Sequence, residues 1–214
     1  MGNCQIRFEL VHQMKTLSSS LPDHFNYQEK GIHYALRALS LPDDFALLYK
    51  WMHEPHVIPQ WQLNKPESEL AVYFEKMQVD DHQRLYIIQI AGQDVGYLEI
   101  YEARRDRLSL YYPALENDLG WHILLGEKHV VGKGHFRAVM RLMIYFIFEN
   151  SPAEKIVGEP DENVRSYAYI AQDIAFTAQK KLLMPEKIAV LYHCFREEFY
   201  KKCGHISLLE TIEG

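Results

Sequence analysis

The sequence predicts a single mixed α/β domain, and three observations predict it. Two β-rich runs at residues 85–90 and 95–101 flank a hairpin signal, Ala91-Gly92-Gln93-Asp94. A strand, a glycine loop and a long apolar helix succeed one another between residues 119 and 149. No repeat, low-complexity tract or composition break divides the 214 residues into separate units.

Composition agrees. A chain that is 48% hydrophobic and 24% charged lies in the globular range and is long enough to bury a substantial core. Its formal charge of −6 gives no general electrostatic reason to bind nucleic acid or an anionic membrane, which both favour basic surfaces. Cys4, Cys194 and Cys203 are an odd number without C-x-x-C spacing, which points to reduced thiols rather than a disulfide framework or a zinc knuckle. No apolar run approaches the ~18 residues needed to cross a bilayer, and Arg141 interrupts the most apolar stretch. The opening Met1-Gly2-Asn3-Cys4-Gln5-Ile6 has Ile6 where a lipidation signal has Ser or Thr, and no signal-peptide pattern follows. The expectation is a cytoplasmic protein with no membrane or nucleic-acid partner.

Element by element, residues 1–40 read as an N-terminal lead-in segment that packs on the domain, with a strand at 32–39. After Leu41-Pro42-Asp43-Asp44, either aspartate can cap a helix carrying Phe45, Leu48 and Trp51 at helical spacing. That helix ends near Glu54-Pro55, because the residue before proline disfavours helix. Pro59 and Pro66 bracket a loop containing Trp61. Residues 68–78 form a second helix with Leu70, Phe74 and Met77 on one face. Beyond the hairpin come a strand at 119–125, a helix at about 135–149, a short strand at 155–158, a helix at about 163–173, and strands near 178–183 and 187–193.

The loop Val130-Val131-Gly132-Lys133-Gly134-His135 carries the first chemical signal. Two glycines between a strand and a helix let backbone N–H groups converge on one point, where the helix dipole adds positive potential, so anionic phosphate is the natural ligand. Glycine pairs also simply close turns. A Walker loop needs Gly-Lys-Ser/Thr, whereas Lys133 is followed by Gly134; a dinucleotide fingerprint needs a third glycine that Ala138 does not supply.

What remains resembles the pyrophosphate loop of the GNAT acyltransferase superfamily, commonly Gln/Arg-x-x-Gly-x-Gly/Ala, with His129 here at the first position. Further stretches resemble the hydroxamate-siderophore branch, the N-hydroxylysine acetyltransferases of aerobactin-like pathways and the mycobactin lysine acyltransferases. They are Trp51-Met52-His53-Glu54-Pro55-His56-Val57 with Trp61, Gly96-Tyr97-Leu98-Glu99-Ile100-Tyr101, and Asp106-Arg107-Leu108 with Tyr111-Tyr112. Asp118-Leu119-Gly120-Trp121-His122-Ile123-Leu124-Leu125-Gly126, Gly158-Glu159-Pro160-Asp161 and Met184-Pro185-Glu186-Lys187-Ile188-Ala189 follow in family order. The resemblance implies a GNAT fold over residues 41–214, with a central mixed, mostly antiparallel sheet flanked by helices.

It also implies an acyl-CoA co-substrate, acetyl-CoA or another acyl-CoA, held by Leu124, Val130, Val131, Gly132, Lys133, Gly134, His135 and Asn163. Asn163 departs from the family's Glu-Pro-Asp-x-Arg-Asn by one position. A family catalytic pair carries over onto His122 and Asp161, with the imidazole as base and the aspartate orienting it or holding the amine. Trp61, Tyr97, Glu99, Tyr111 and Tyr112 line the acceptor pocket in this reading, although aromatics at such positions also serve hairpin packing. His53 and His56 lack a third ligand at useful spacing, so no metal is expected. The implied reaction acylates, with acetyl or succinyl, the hydroxylated nitrogen of a lysine or diamine, coupled to an N-hydroxylase and a siderophore synthetase, in a monomer or homodimer. The alternatives are an aminoglycoside-type acetyltransferase and a non-catalytic acyl-CoA-binding module.

Overall fold

The computed structural model describes residues 16–206; Cys4 and the Met1 to Ile6 opening lie outside the described residues. A short helix α1 (Leu17–Ser20) leads into strands β1 (His24–Glu29) and β2 (Ile32–Ala38). Helices α2 (Phe45–Met52), α3 (Ile58–Trp61) and α4 (Glu67–Val79) precede the hairpin of β3 (Gln83–Ile90) and β4 (Gln93–Glu102). Then come β5 (Leu119–Leu125), α5 (His135–Asn150), β6 (Lys155–Gly158), α6 (Arg165–Ala171), β7 (Phe176–Leu183), β8 (Ile188–Phe195) and α7 (Arg196–Cys203). The strands form one eight-stranded sheet in the order β1-β2-β3-β4-β5-β6-β8-β7, antiparallel throughout except between β5 and β6.

Several local expectations are refined. Sequence reading leaves residues 24–29 as irregular lead-in, but they pair along their full length with β2, because a half-exposed edge strand tolerates polar residues such as Asn26 and Gln28. The stretch expected to be a loop around Trp61 is one helical turn, with Pro59 in its first turn where no amide bond is lost. Asp44 stands at the start of α2, yet its carboxylate makes no cap; it receives Arg37 and the Ser40 amide instead. The helix expected at 163–173 begins at Arg165 and ends in a 3-10 turn, and α7 goes unread because Glu197, Glu198, Lys201 and Lys202 mask its single buried face residue, Phe199.

Two layers cover the sheet. On one face α5 buries an almost continuous run from Ala138 to Phe148, interrupted by Arg141, whose guanidinium reaches Glu29 at 3.0 Å. On the other, α2 and α4 set Leu48, Trp51, Met52, Leu70 and Phe74 against Leu85, Ile87 and Tyr97. Strand alternation therefore sends Tyr97, Glu99, Tyr101 and His122 to the α2/α4 face, and Trp121 and Ile123 to the α5 face.

The feature that makes a site is a break in this sheet. β5 and β6 pair only at Leu119↔Ile156 and Gly120↔Val157. Beyond Gly158 the chain follows β8: the Val190 amide donates to the Pro160 carbonyl at 3.0 Å and the Glu162 amide to the Ile188 carbonyl at 2.9 Å. Pro160 has no amide to offer a ladder. β5 consequently continues from Trp121 to Leu125 with its β6-facing edge unpaired, and the two strands splay into a cleft.

Candidate active site

His122 lies where the strands part. Its Nδ1 is 2.7 Å from Glu99 Oε2 and its Nε2 is 3.1 Å from Glu159 Oε1, so each ring nitrogen faces a carboxylate. Two tyrosines complete the chain: Tyr97 donates to Glu99 at 3.0 Å and Tyr101 to Glu159 at 2.9 Å. Lys187 adds a second cation, its Nζ 3.7 Å from Glu159 Oε1 and bonded to the Glu159 carbonyl at 2.7 Å. The Tyr101 ring reaches this position because residue 120 is glycine; a Cβ there would lie 2.2 Å from the ring. The same ring packs on the imidazole at 4.7 Å between centroids.

The electrostatics follow from the geometry. Burial alone would push the His122 pKa down, but hydrogen bonds and charge from Glu159 and Glu99 outweigh it and raise the value to about 10. For Glu159, burial favours the neutral acid, yet His122, Lys187 and Tyr101 bring its pKa down to about 2. The arrangement favours the imidazolium form of His122 and the ionised form of Glu159. The His122 side chain keeps 34% of its surface open, whereas Glu99 and Glu159 keep 4% and 2%.

Two cavities meet at this point. One, of about 660 Å³, is bounded by His122, Glu99 and Glu159 and runs through the split in the sheet to Trp121 and Tyr167. Asp106 and Asp161 also line it, and among the described residues neither has a cation within salt-bridge distance. The second, of about 480 Å³, runs along Leu124 and Leu125 to Val130, Val131, Gly132 and Gly134, with Arg137, Ser166 and Tyr169 on its far wall. Gln60, Trp61, Ile123 and Phe136 border both. Gly132 and Gly134 have φ of +73° and +86°, the left-handed backbone conformation that favours glycine, and Gly134 immediately precedes α5.

The sequence-predicted residues divide between these walls and their surroundings. His122, Asp161, Trp61 and Glu99 line the larger cavity, and Leu124, Val130, Val131, Gly132 and Gly134 the smaller. Asp161 does not touch His122; its Oδ1 accepts from the amide and side chain of Asn163 at 2.8 and 3.0 Å. Tyr97, expected in the acceptor pocket, is fully buried behind Glu99, and Tyr112 is buried with its hydroxyl on Asp118 at 3.0 Å; Tyr111 likewise lies outside the cavity wall. Lys133 and His135 adjoin lining residues of the smaller cavity without lining it themselves, Asn163 lines neither cavity, and His135 Nδ1 is 3.0 Å from the Tyr34 hydroxyl. His53 and His56 bond to separate carbonyls, those of Tyr49 and Leu125, and no cluster of metal-ligating side chains occurs among the described residues.

Residues the sequence reading passes over are Glu159, Tyr101, Lys187, Trp121 and Tyr167. The signal for Glu159 was present in Glu159-Pro160-Asp161, but spacing alone does not say which carboxylate meets the histidine. Only the turn of the chain toward β8 does.

Comparison with known proteins agrees with this architecture. The family model described as "Acetyltransferase (GNAT) domain" matches residues 40–184. The chain is 62% identical over 192 residues to the N-hydroxyputrescine acetyltransferase of Acinetobacter baumannii, covering 90% of this chain and 92% of that one. It is 30% identical over 129 residues to the lysine N-acyltransferase MbtK of Mycobacterium tuberculosis, covering 60% of this chain and 61% of that one. Among solved structures, an uncharacterized protein from Bacillus halodurans superposes with a TM-score of 0.80 at 29% identity, covering 87% of this chain and 95% of that one. Splayed strands, glycine loop and family match together show that the chain belongs to the GNAT acetyltransferase family.

Proposed function

We propose that this protein transfers an acetyl group from acetyl-CoA to the hydroxylamine nitrogen of an N-hydroxylated amine, N-hydroxyputrescine first among acceptors, giving a hydroxamate for siderophore assembly. The observation that carries the reading is the Glu99–His122–Glu159 cluster at the split between β5 and β6, set between a cavity with two carboxyl groups that lack an ion-pair partner among the described residues and one that ends on a glycine loop. The Acinetobacter baumannii relative supports the choice of acceptor. Its reaction needs an N-hydroxylase to supply the hydroxylamine and a synthetase to consume the hydroxamate, in the cytoplasm and in the service of iron acquisition, with the enzyme acting as a monomer or homodimer.

In this mechanism the glycine loop and the start of α5 hold the pyrophosphate, and the thioester passes the waist formed by Trp61, Ile123 and Phe136. A hydroxylamine nitrogen is less basic than an alkylamine and attacks from its neutral form, so positioning supplies much of the rate. The C–N bond forms as the C–S bond breaks, and amides on the unpaired edge of β5 stabilise the developing oxyanion. His122 presents no free lone pair, because both nitrogens face carboxylates. It acts as a fixed cation that positions the acceptor, while Asp161 takes the proton from the attacking nitrogen and CoA departs.

The test is a mass-spectrometric screen of acetyl- and succinyl-CoA against N-hydroxyputrescine, N-hydroxycadaverine, N-hydroxylysine, N-hydroxyornithine and aminoglycosides. Hydroxamate from the hydroxylated amines is the expected product. Turnover confined to aminoglycosides, or CoA binding without turnover of any acceptor, overturns the proposal.

A further inference from the structure

We infer that Trp121 closes the acyl end of the site and restricts the enzyme to short acyl groups, acetyl above all. The inference rests on the acyl-CoA reading of the two cavities.

Trp121 is the first β5 residue past the last β5–β6 pair, and alternation points it to the face opposite His122. Its indole occupies the opening of the cleft beside Gly158. A Cβ at Gly158 would sit 2.9 Å from both Nε1 and Cζ2 of Trp121, so glycine there leaves the space that the ring fills. The indole is 7% exposed and packs on Tyr167 at 5.3 Å and Phe176 at 6.2 Å; Tyr167 packs in turn on Tyr192 at 5.0 Å. Four interlocked aromatics of this kind form a stiff wall, because close-packed interiors yield little to an added methylene.

That wall ends the apolar route on the α5 side of the cleft. A thioester coming from the glycine loop must pass the waist shared by both cavities, Trp61, Ile123 and Phe136. Beyond it, the α2/α4 side presents His122, Glu99 and Glu159 together with Leu63, Tyr73 and Met77, and is assigned to the carbon chain and nitrogen of the amine. The α5 side presents Trp121, Val164 and Tyr167. An acetyl methyl ends before this wall, and each further methylene runs into it.

A second, independent observation points the same way. Trp121 Nε1 and Tyr167 OH are buried and have no hydrogen-bond partner among the described residues, and both residues border this cavity. Both atoms are closed off from solvent by the packing around them, as a close-packed wall requires.

Calorimetric titration of the full chain with CoA and with S-ethyl-, S-butyl- and S-hexyl-CoA thioethers, which cannot transfer, tests this without an acceptor. The wild type is expected to bind S-ethyl-CoA about ten-fold or more tightly than S-hexyl-CoA, the scale on which apolar pockets discriminate methylenes. Trp121→Ala should erase or invert the order while keeping the affinity for CoA itself, and Trp121→Phe should fall between. Equal affinities across the series in the wild type, or an unchanged order in a Trp121 variant that retains CoA affinity, overturns the inference. If the alanine variant does not fold, the wild-type titration and Trp121→Phe decide. Failure of every hydroxylated amine to turn over would sink the proposed acceptor and leave this binding order standing, whereas absence of CoA binding would sink both.

Discussion

Glu99 and His122 stand directly opposite each other on β4 and β5, and the imidazole Nδ1 lies 2.7 Å from the Glu99 carboxylate. On the far side of the same ring, Glu159 closes the clamp from the end of β6. Two carboxyl groups on one imidazole raise its pKa and favour the protonated ring, which bears on what each variant of the cluster should do.

Asp161→Asn is expected to lower kcat about 10²-fold or more, the range of a lost general base, with KM for acetyl-CoA little changed. His122→Ala should lower both turnover and thermal stability, because it leaves Glu99 and Glu159 buried without their shared cation. Steady-state kinetics on the two variants separates the roles. Full activity in Asp161→Asn would return the base to His122.

The clamp also predicts a pH dependence. The His122 pKa is raised from 6.5 to about 10, so its contribution to stability is complete below about pH 6.5 and is lost as pH rises through 10. The Glu159 pKa is lowered from 4.5 to about 2, so its contribution is present above pH 4.5 and is lost as pH falls through 2. Denaturant melts across this range should show the clamp's stability highest between about pH 4.5 and 6.5 and falling on the alkaline side, and His122→Gln should flatten that fall. NMR titration of the ring should show imidazolium at pH 8; a neutral ring there refutes the clamp.

Gly134→Val tests the loop. A Cβ at Gly134 meets no protein atom within 4 Å, so the demand for glycine comes from its φ of +86°. That conformation costs an L residue about 1–2 kcal/mol, and the loop should relax away from its phosphate-binding form. KM for acetyl-CoA is expected to rise by about ten-fold, the equivalent of that strain, with the hydroxylamine KM unaffected. Unaltered affinity for CoA would remove the loop from the site.

Gly126→Ala tests the packing that carries β5. Its Cβ would fall 2.1 Å from Cγ of the fully buried Trp51, whose Nε1 donates to Glu127 at 2.9 Å. Neither ring nor backbone has room to yield, so overpacking should cost about 1–3 kcal/mol. Chemical denaturation measures it, and a cost near zero would show that Trp51 moves freely.

Legibility varied with how local the cause was. The hairpin of β3 and β4 was plain because Ala91 and Gly92, both at positive φ, sit between alternating β-branched and aromatic runs. The helix α5 was equally plain from its apolar length. Strand β1 was not, since an edge strand with Asn26 and Gln28 carries no hydrophobic alternation until β2 pairs with it. In the site, His122, Trp61 and Glu99 were legible through family-like stretches, and the placement of Tyr97 and Tyr112 behind the wall was not, because strand faces and hydroxyl partners depend on neighbours far along the chain.

The sequence by itself determined the mixed α/β class, the glycine loop ahead of a long apolar helix, and the order of the motifs that resemble the siderophore-type acyltransferases. These follow from periodicity, turn chemistry and local composition, which act over a few residues. Tertiary structure alone decided that Glu159 rather than Asp161 meets His122, that the imidazole sits between two carboxyl groups, and that Trp121 lies at the opening of the cleft. Each of those depends on Pro160 leaving β5 to follow β8. That choice sets groups 37 residues apart within 3.1 Å of one another, in an interior where burial makes their pairing strong.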